Sequence, residues 1–154
     1  MSDIALSAAK PIVPAFAPVQ RALAPLVEPA LRVAAGLLLV PHGAQKLFGA
    51  FGGYGLEGTG QFFVSIGYPA SMALVVGLIE FVGGLALAAG LLTRVAAGFI
   101  AGFLAVAVVQ HSANGLFWND GGLEYPLLWG LLALGFVIRG GGKYSVDRLI
   151  GCEI

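Results

Sequence analysis

Charge is scarce in this sequence. Only 10% of its 154 residues are Asp, Glu, Lys or Arg, against about 25% in soluble domains. The eight basic and eight acidic residues cancel to a formal net charge of zero, and no basic patch offers the electrostatic footprint of a nucleic-acid binder. A single cysteine, Cys152, excludes an internal disulfide and any cysteine-rich zinc or iron–sulfur site, and reads as a free structural thiol. No nucleophile–base motif, P-loop or dinucleotide fingerprint occurs. The runs Gly52-Gly53 and Gly140–Gly142 are turns, because neither lies between a strand and a helix.

What is abundant is apolar surface. The chain is 58% hydrophobic, with a mean hydropathy of +0.93. It has too little polar surface to cover itself in water and belongs in a bilayer. Hydrophobic runs predict an all-α, four-helix transmembrane bundle over residues 30–139, with spans at about 31–48, 69–92, 95–114 and 123–138, and a polar tail at 140–154. Residues 1–29 form an Ala/Pro-rich arm. Its prolines, Pro11, Pro14, Pro18, Pro25 and Pro29, are expected to prevent one long helix. Broken by proline and lacking an A-x-A site, the arm does not read as a cleavable signal peptide. It is expected to lie at the membrane surface or against a partner subunit.

Four spans place both termini on one side. Lys10, Arg21, Arg32, Arg94, Arg139, Lys143 and Arg148 then share that side, and Lys46 stands alone among the basic residues on the other. The bias makes both termini cytoplasmic. It puts His42, Lys46, His111, Asn114 and Glu124 in or near the outer half, with Glu80 close to the midplane.

Glu80 is the costly residue. It sits midway along the apolar run of residues 72–92, where a charge costs at least about 2.5 kcal/mol. Helical spacing puts it on a stripe with Ala73, Gly77, Gly84 and Ala88, small residues that let another helix approach. The first span offers two basic partners. Arg32, Gly36, Leu39, Gly43 and Lys46 share one of its faces, and His42 borders that face. A structural ion pair of Glu80 with either Arg32 or Lys46 is expected; the spacing does not choose between them. Pro41 is expected to kink the span near His42. In the third span, Gly98-x-x-x-Gly102 is a weak helix-packing motif, with His111 on the other face.

A functional reading adds a quinone headgroup. Its carbonyls need hydrogen-bond donors, which His42, Lys46 and His111 offer. Glu80, desolvated at the midplane, is the candidate proton carrier. His42 and His111 could in principle ligate a haem from two spans, but two histidines without a clustered ligand motif make haem or metal the weaker reading. No covalently bound cofactor is expected. Internal repetition is a further feature. Arg32-Val-Ala-Ala-Gly recurs as Arg94-Val-Ala-Ala-Gly, and His42-Gly-Ala-Gln-Lys-Leu-Phe is echoed by His111-Ser-Ala-Asn-Gly-Leu-Phe. Duplication of a hairpin and chance in a biased composition both account for these matches.

Taken in order, certain residues resemble the DoxX family of small four-helix membrane proteins. They are Arg32, His42-Gly43, Lys46-Leu47, Glu80-x-x-Gly83-Gly84, Gly90-Leu91-Leu92-Thr93-Arg94, His111, Glu124 and the closing Gly142-x-Tyr144-Ser145-x-Asp147. The resemblance covers roughly residues 31–149. It implies a multi-pass protein of a bacterial or archaeal inner membrane that works with other membrane or redox subunits. Relatives include membrane subunits of thiosulfate:quinone oxidoreductase. The resemblance therefore implies a subunit of a quinone-linked oxidoreductase complex more than an enzyme acting alone. A non-catalytic structural or assembly subunit is the alternative.

Overall fold

A computed structural model describes residues 12–152. Among these residues the regular structure is entirely helical. Six helices follow in order: α1 (Ala17–Phe48), α2 (Gly55–Ser65), α3 (Met72–Ala89), α4 (Thr93–His111), α5 (Glu124–Arg139) and α6 (Val146–Ile150), joined by short 3-10 turns. Three stretches are long and apolar enough to cross a membrane: Pro14–Phe48, Met72–Ala89 and Thr93–Asn114. This is a membrane protein. The 16 residues of α5 cover about 24 Å at 1.5 Å per residue, short of a hydrocarbon layer of about 30 Å.

The first helix departs from the sequence expectation. It starts at Ala17 and runs unbroken to Phe48, with Pro25, Pro29 and Pro41 inside it. Each proline removes one N–H donor from the ladder, yet the remaining bonds carry the helix through, as membrane helices tolerate. Pro18 supports the start, where a missing N–H costs nothing. Gly49 ends the helix in the left-handed conformation, φ +69°. The segment 17–29 is thus continuous with the first span; residues 1–11 of the expected arm lie outside the described residues. At 32 residues, α1 is about 48 Å long. The loop that follows it is more helical than its glycines suggest, since α2 occupies Gly55–Ser65.

The molecule consists of two helical hairpins. In the first, α1 lies along the whole of α3; in the second, α4 lies along α5. The first hairpin is close-packed through small residues. A Cβ on Gly36 would collide with the Gly84 carbonyl and the Ala88 amide, and one on Gly43 with the Phe81 amide. The wheel face of Arg32, Gly36, Leu39 and Gly43 is the buried face of α1. A thin core of Ala35, Leu39, Leu87, Ala97, Ile100, Leu104, Ala133 and Phe136 joins the hairpins. On α4 the buried face is Ala97, Ile100 and Leu104, whereas Gly98 and Gly102 meet no neighbouring atom within 4 Å of an added Cβ. The Gly-x-x-x-Gly motif therefore packs against no helix here.

The end of the hairpins that carries Arg32 is tied together by polar groups. Arg32, only 2% exposed, donates to the carbonyls of Leu87 (2.7 Å), Ala88 (2.6 Å) and Tyr144 (2.6 Å). These include carbonyls of the last turn of α3, where the helix ladder runs short of donors; the Leu87 carbonyl also accepts from the Gly90 amide at 3.1 Å. Arg94 makes the same kind of contact in the second hairpin, donating to Val137 (3.0 Å) and Ile138 (2.8 Å) at the end of α5. The two Arg-Val-Ala-Ala-Gly segments thus perform one geometric task, each placing an arginine on one helix of a hairpin where it holds the end of the partner helix.

The tail completes this knot. Asp147 accepts from the Leu92 amide (2.6 Å), the Thr93 amide (2.9 Å) and the Thr93 hydroxyl (2.7 Å), and so caps α4 from a distant part of the chain. Leu92 holds a left-handed backbone, φ +47°, a conformation that costs a non-glycine residue of order 1 kcal/mol or more. The Asp147 bond to its amide pins it there. Burial pushes the Asp147 carboxyl up, but the hydrogen bonds from Thr93 and Leu92, with the nearby Arg32 charge, outweigh it and hold the group below its ordinary value. At the surface, Arg139 pairs with Glu28 at 3.1 Å, linking α5 to the early part of α1.

Candidate functional site

Where Gly43 lets α1 lie directly on α3, the facing stretch of α3 is a π turn, Ile79–Gly83. Turns of this kind recur at functional sites. Glu80 is in that turn and 4% exposed. Three residues beyond Gly43, Lys46 projects from the same face of α1. Its Nζ lies 2.7 Å from one Glu80 carboxylate oxygen and 3.0 Å from the other. The carboxylate is almost completely buried and the ammonium partly so. Such a pair is tolerated in an apolar interior only because each charge satisfies the other.

Of the two partners the sequence left open for Glu80, the structure places Lys46 beside it. Arg32 stands at the other end of the hairpin, committed to three carbonyls. The physical reason is reach: Arg32 lies beside Leu87 and Ala88, about two turns along α3 from Glu80.

The pair opens on a cavity of about 1170 Å³ between the hairpins. His42, Lys46, Glu80 and His111 all line it, so the four expected ligand-binding residues face one space. The walls between them are apolar and aromatic, with Phe62, Phe63, Phe103 and Trp129 among them. His42 is exposed to the cavity and has no hydrogen-bond partner among the described residues. His111 donates from Nδ1 to the Ala107 carbonyl at 2.8 Å. In the neutral ring its Nε2 is then an acceptor, and it donates to a ligand only when the ring is charged. Opposite the ion pair, Gln110 donates to the Tyr68 hydroxyl at 2.5 Å, bridging the α2–α3 loop to the end of α4.

Several residues prominent in the sequence belong to the scaffold. Glu124 accepts from the Trp118 amide at 2.9 Å and secures the turn before α5, where Trp118 stacks on Tyr125. Gly90, Thr93, Tyr144, Ser145 and Asp147 form the knot at the Arg32 end. Among the described residues, no three His, Cys, Asp or Glu side chains gather as they would around a metal ion. What the arrangement can do is hold a neutral, mostly apolar molecule against one donor ammonium, one carboxylate and an adjacent imidazole.

Comparison with known proteins adds a family. The DoxX family model matches residues 29–113. The chain is 32% identical over 120 residues to "Putative oxidoreductase CatD" of Bacillus subtilis (strain 168), covering 78% of this chain and 84% of that one. It is 40% identical over 102 residues to the inner membrane protein YqjF of Escherichia coli (strain K12), covering 62% and 75%. An uncharacterized protein of Haemophilus influenzae is 36% identical over 122 residues, covering 77% and 86%. No solved structure matches the chain.

Proposed function

The chain belongs to the DoxX family, and from that premise we propose that it is the membrane subunit of a quinone-linked oxidoreductase complex. The observation that carries the proposal is the Lys46–Glu80 pair, buried at the edge of an otherwise apolar cavity beside an uncommitted imidazole, His42. In this reading a quinone ring enters the cavity and takes hydrogen bonds at its carbonyl oxygens from Lys46 and His42, with His111 on the opposite wall. Reduction to the quinol takes two electrons and two protons. This chain carries no motif for an electron carrier, so a partner dehydrogenase subunit supplies the electrons. Glu80 passes the two protons in turn to the quinone oxygens and regains each from the aqueous side.

The topology that suits this role has α5 as a fourth span, both termini in the cytoplasm and the site in the outer half of a bacterial or archaeal inner membrane. The relative YqjF is named an inner membrane protein, which supports the location. Cys152 offers a direct check, since it is the chain's one cysteine and is exposed. In intact cells a membrane-impermeant maleimide should leave it unlabelled, and should label it once the membrane is opened. Labelling in intact cells would reverse the orientation.

A structural or assembly subunit is the second reading, favoured by one feature: Lys46 and Glu80 already satisfy each other. Glu80→Gln separates the two. As a proton carrier, the variant assembles with its partners and loses quinone-dependent turnover. Turnover at the wild-type rate would leave the structural reading standing.

A further inference from the structure

The Gly98-x-x-x-Gly102 motif lines the cavity, yet neither glycine is in contact with another helix. The contrast with α1 and α3 is sharp, because Gly36, Gly43, Gly77 and Gly84 all meet a neighbour at close range. On α4 the two missing side chains leave space, and the space belongs to the cavity. Beside the glycines, Phe99 is 63% exposed, and across the cavity Leu128 is 61% and Leu38 55% exposed. All three residues line the cavity and leave more than half of their surface uncovered by the chain. Phe99 and Leu38 lie within stretches long and apolar enough to cross a membrane, which gives the cavity an exposed apolar wall where the bilayer would lie.

Size points the same way. At about 1170 Å³ the cavity exceeds the roughly 300–1,000 Å³ of pockets that hold drug-sized ligands. A ring seated at Lys46 and Glu80 leaves most of it unfilled, and much of the remaining wall is apolar, with Leu38, Phe99, Phe103 and Leu128 in it. We propose that the cavity admits its ligand laterally from the membrane past Gly98 and Gly102, and that the ligand is a quinone whose long hydrocarbon tail lies along this glycine face. The inference rests on the reading that a quinone ring occupies the Lys46–Glu80 end, and adds to it the tail, its path and the role of two glycines. An amphiphile with a polar ring and an apolar chain matches a cavity with polar groups at one end and an exposed apolar wall.

Gly102→Leu tests this without disturbing the fold, since nothing lies within 4 Å of the added Cβ. Trp129 lines the cavity and reports occupancy by fluorescence quenching in a Trp118→Phe background. Two quinones with one headgroup, one bearing a polyprenyl tail and one without, are titrated against purified protein. The expected result is that Gly102→Leu weakens the tailed quinone about tenfold or more and leaves the tail-less quinone unchanged. Equal loss for both, or loss for neither, overturns the proposal. Should neither quinone quench wild-type Trp129, the headgroup reading fails by itself. A ring-free brominated alkyl chain then decides the lateral opening: quenching that Gly102→Leu removes upholds the path, and quenching that it leaves intact overturns it.

Discussion

Lys46 and Glu80 meet from two helices whose backbones touch, with the ammonium 2.7 and 3.0 Å from the two carboxylate oxygens. The contact depends on Gly43, three residues before Lys46, because any side chain there would strike the backbone of the π turn that carries Glu80. Glycine, lysine, glutamate and π turn are thus one device. It presents a paired charge to a cavity from the contact between two closely packed helices.

Breaking that pair from one side should cost more than removing it. Lys46→Met leaves a buried carboxylate without its partner, a loss of about 3–5 kcal/mol. Adding Glu80→Leu should restore most of that stability. The check is a double-mutant cycle on thermal unfolding in detergent. Additive losses in the double variant would show that the pair contributes no coupling.

Arg32 supports the end of the bundle where α3 meets the tail. Its replacement by Met removes charged donors from the carbonyls of Leu87, Ala88 and Tyr144, and hydrogen bonds to a charged group contribute about 1.5–3 kcal/mol each. Arg32→Met should therefore lower the melting temperature sharply and loosen the tail. Limited proteolysis near Tyr144 reads the second effect. Wild-type resistance at that site would disconnect Arg32 from the tail.

Asp147 gives the fold an acid limit. Its carboxyl is held below the ordinary value in the folded protein, so the unfolded chain takes up the proton first as pH falls. The stabilisation it provides is complete above the unfolded value of about 3.9 and is lost as pH drops through the lower folded value. Asp147→Asn should be less stable than wild type at neutral pH and should lose this part of the decline below about pH 4. Parallel melting curves from pH 7 to pH 3 for the two proteins would contradict the assignment.

Much of this was legible from the amino-acid order, and the exceptions have physical causes. Spacing on a helical wheel identified the buried face of α1 and the small-residue stripe on α3, because both follow from the 3.6-residue repeat. It could not choose between Arg32 and Lys46, which share that face and differ only in depth. The prolines at 25 and 29 suggested a broken arm; each removes a single hydrogen bond, and the helix continues. Gly98 and Gly102 carry the spacing of a packing motif, but a motif does not say whether a partner helix arrives. The knot of Arg32 and Asp147 joins residues 55 or more apart to Leu87 and Leu92, beyond the reach of any local pattern. Its traces were the recurrence of Arg-Val-Ala-Ala-Gly, since Arg32 and Arg94 hold helix ends alike, and the family pattern at Gly90–Arg94 and Gly142–Asp147, whose residues meet there.

The central claim is that Lys46 hydrogen-bonds a quinone carbonyl within the cavity. Infrared difference spectra of purified protein with a quinone carrying carbon-13 at one carbonyl test it most directly. A carbonyl stretch shifted to lower frequency is expected in the wild type, returned to its free position in Lys46→Met. A band at the free position in the wild type, with quinone bound, would contradict it.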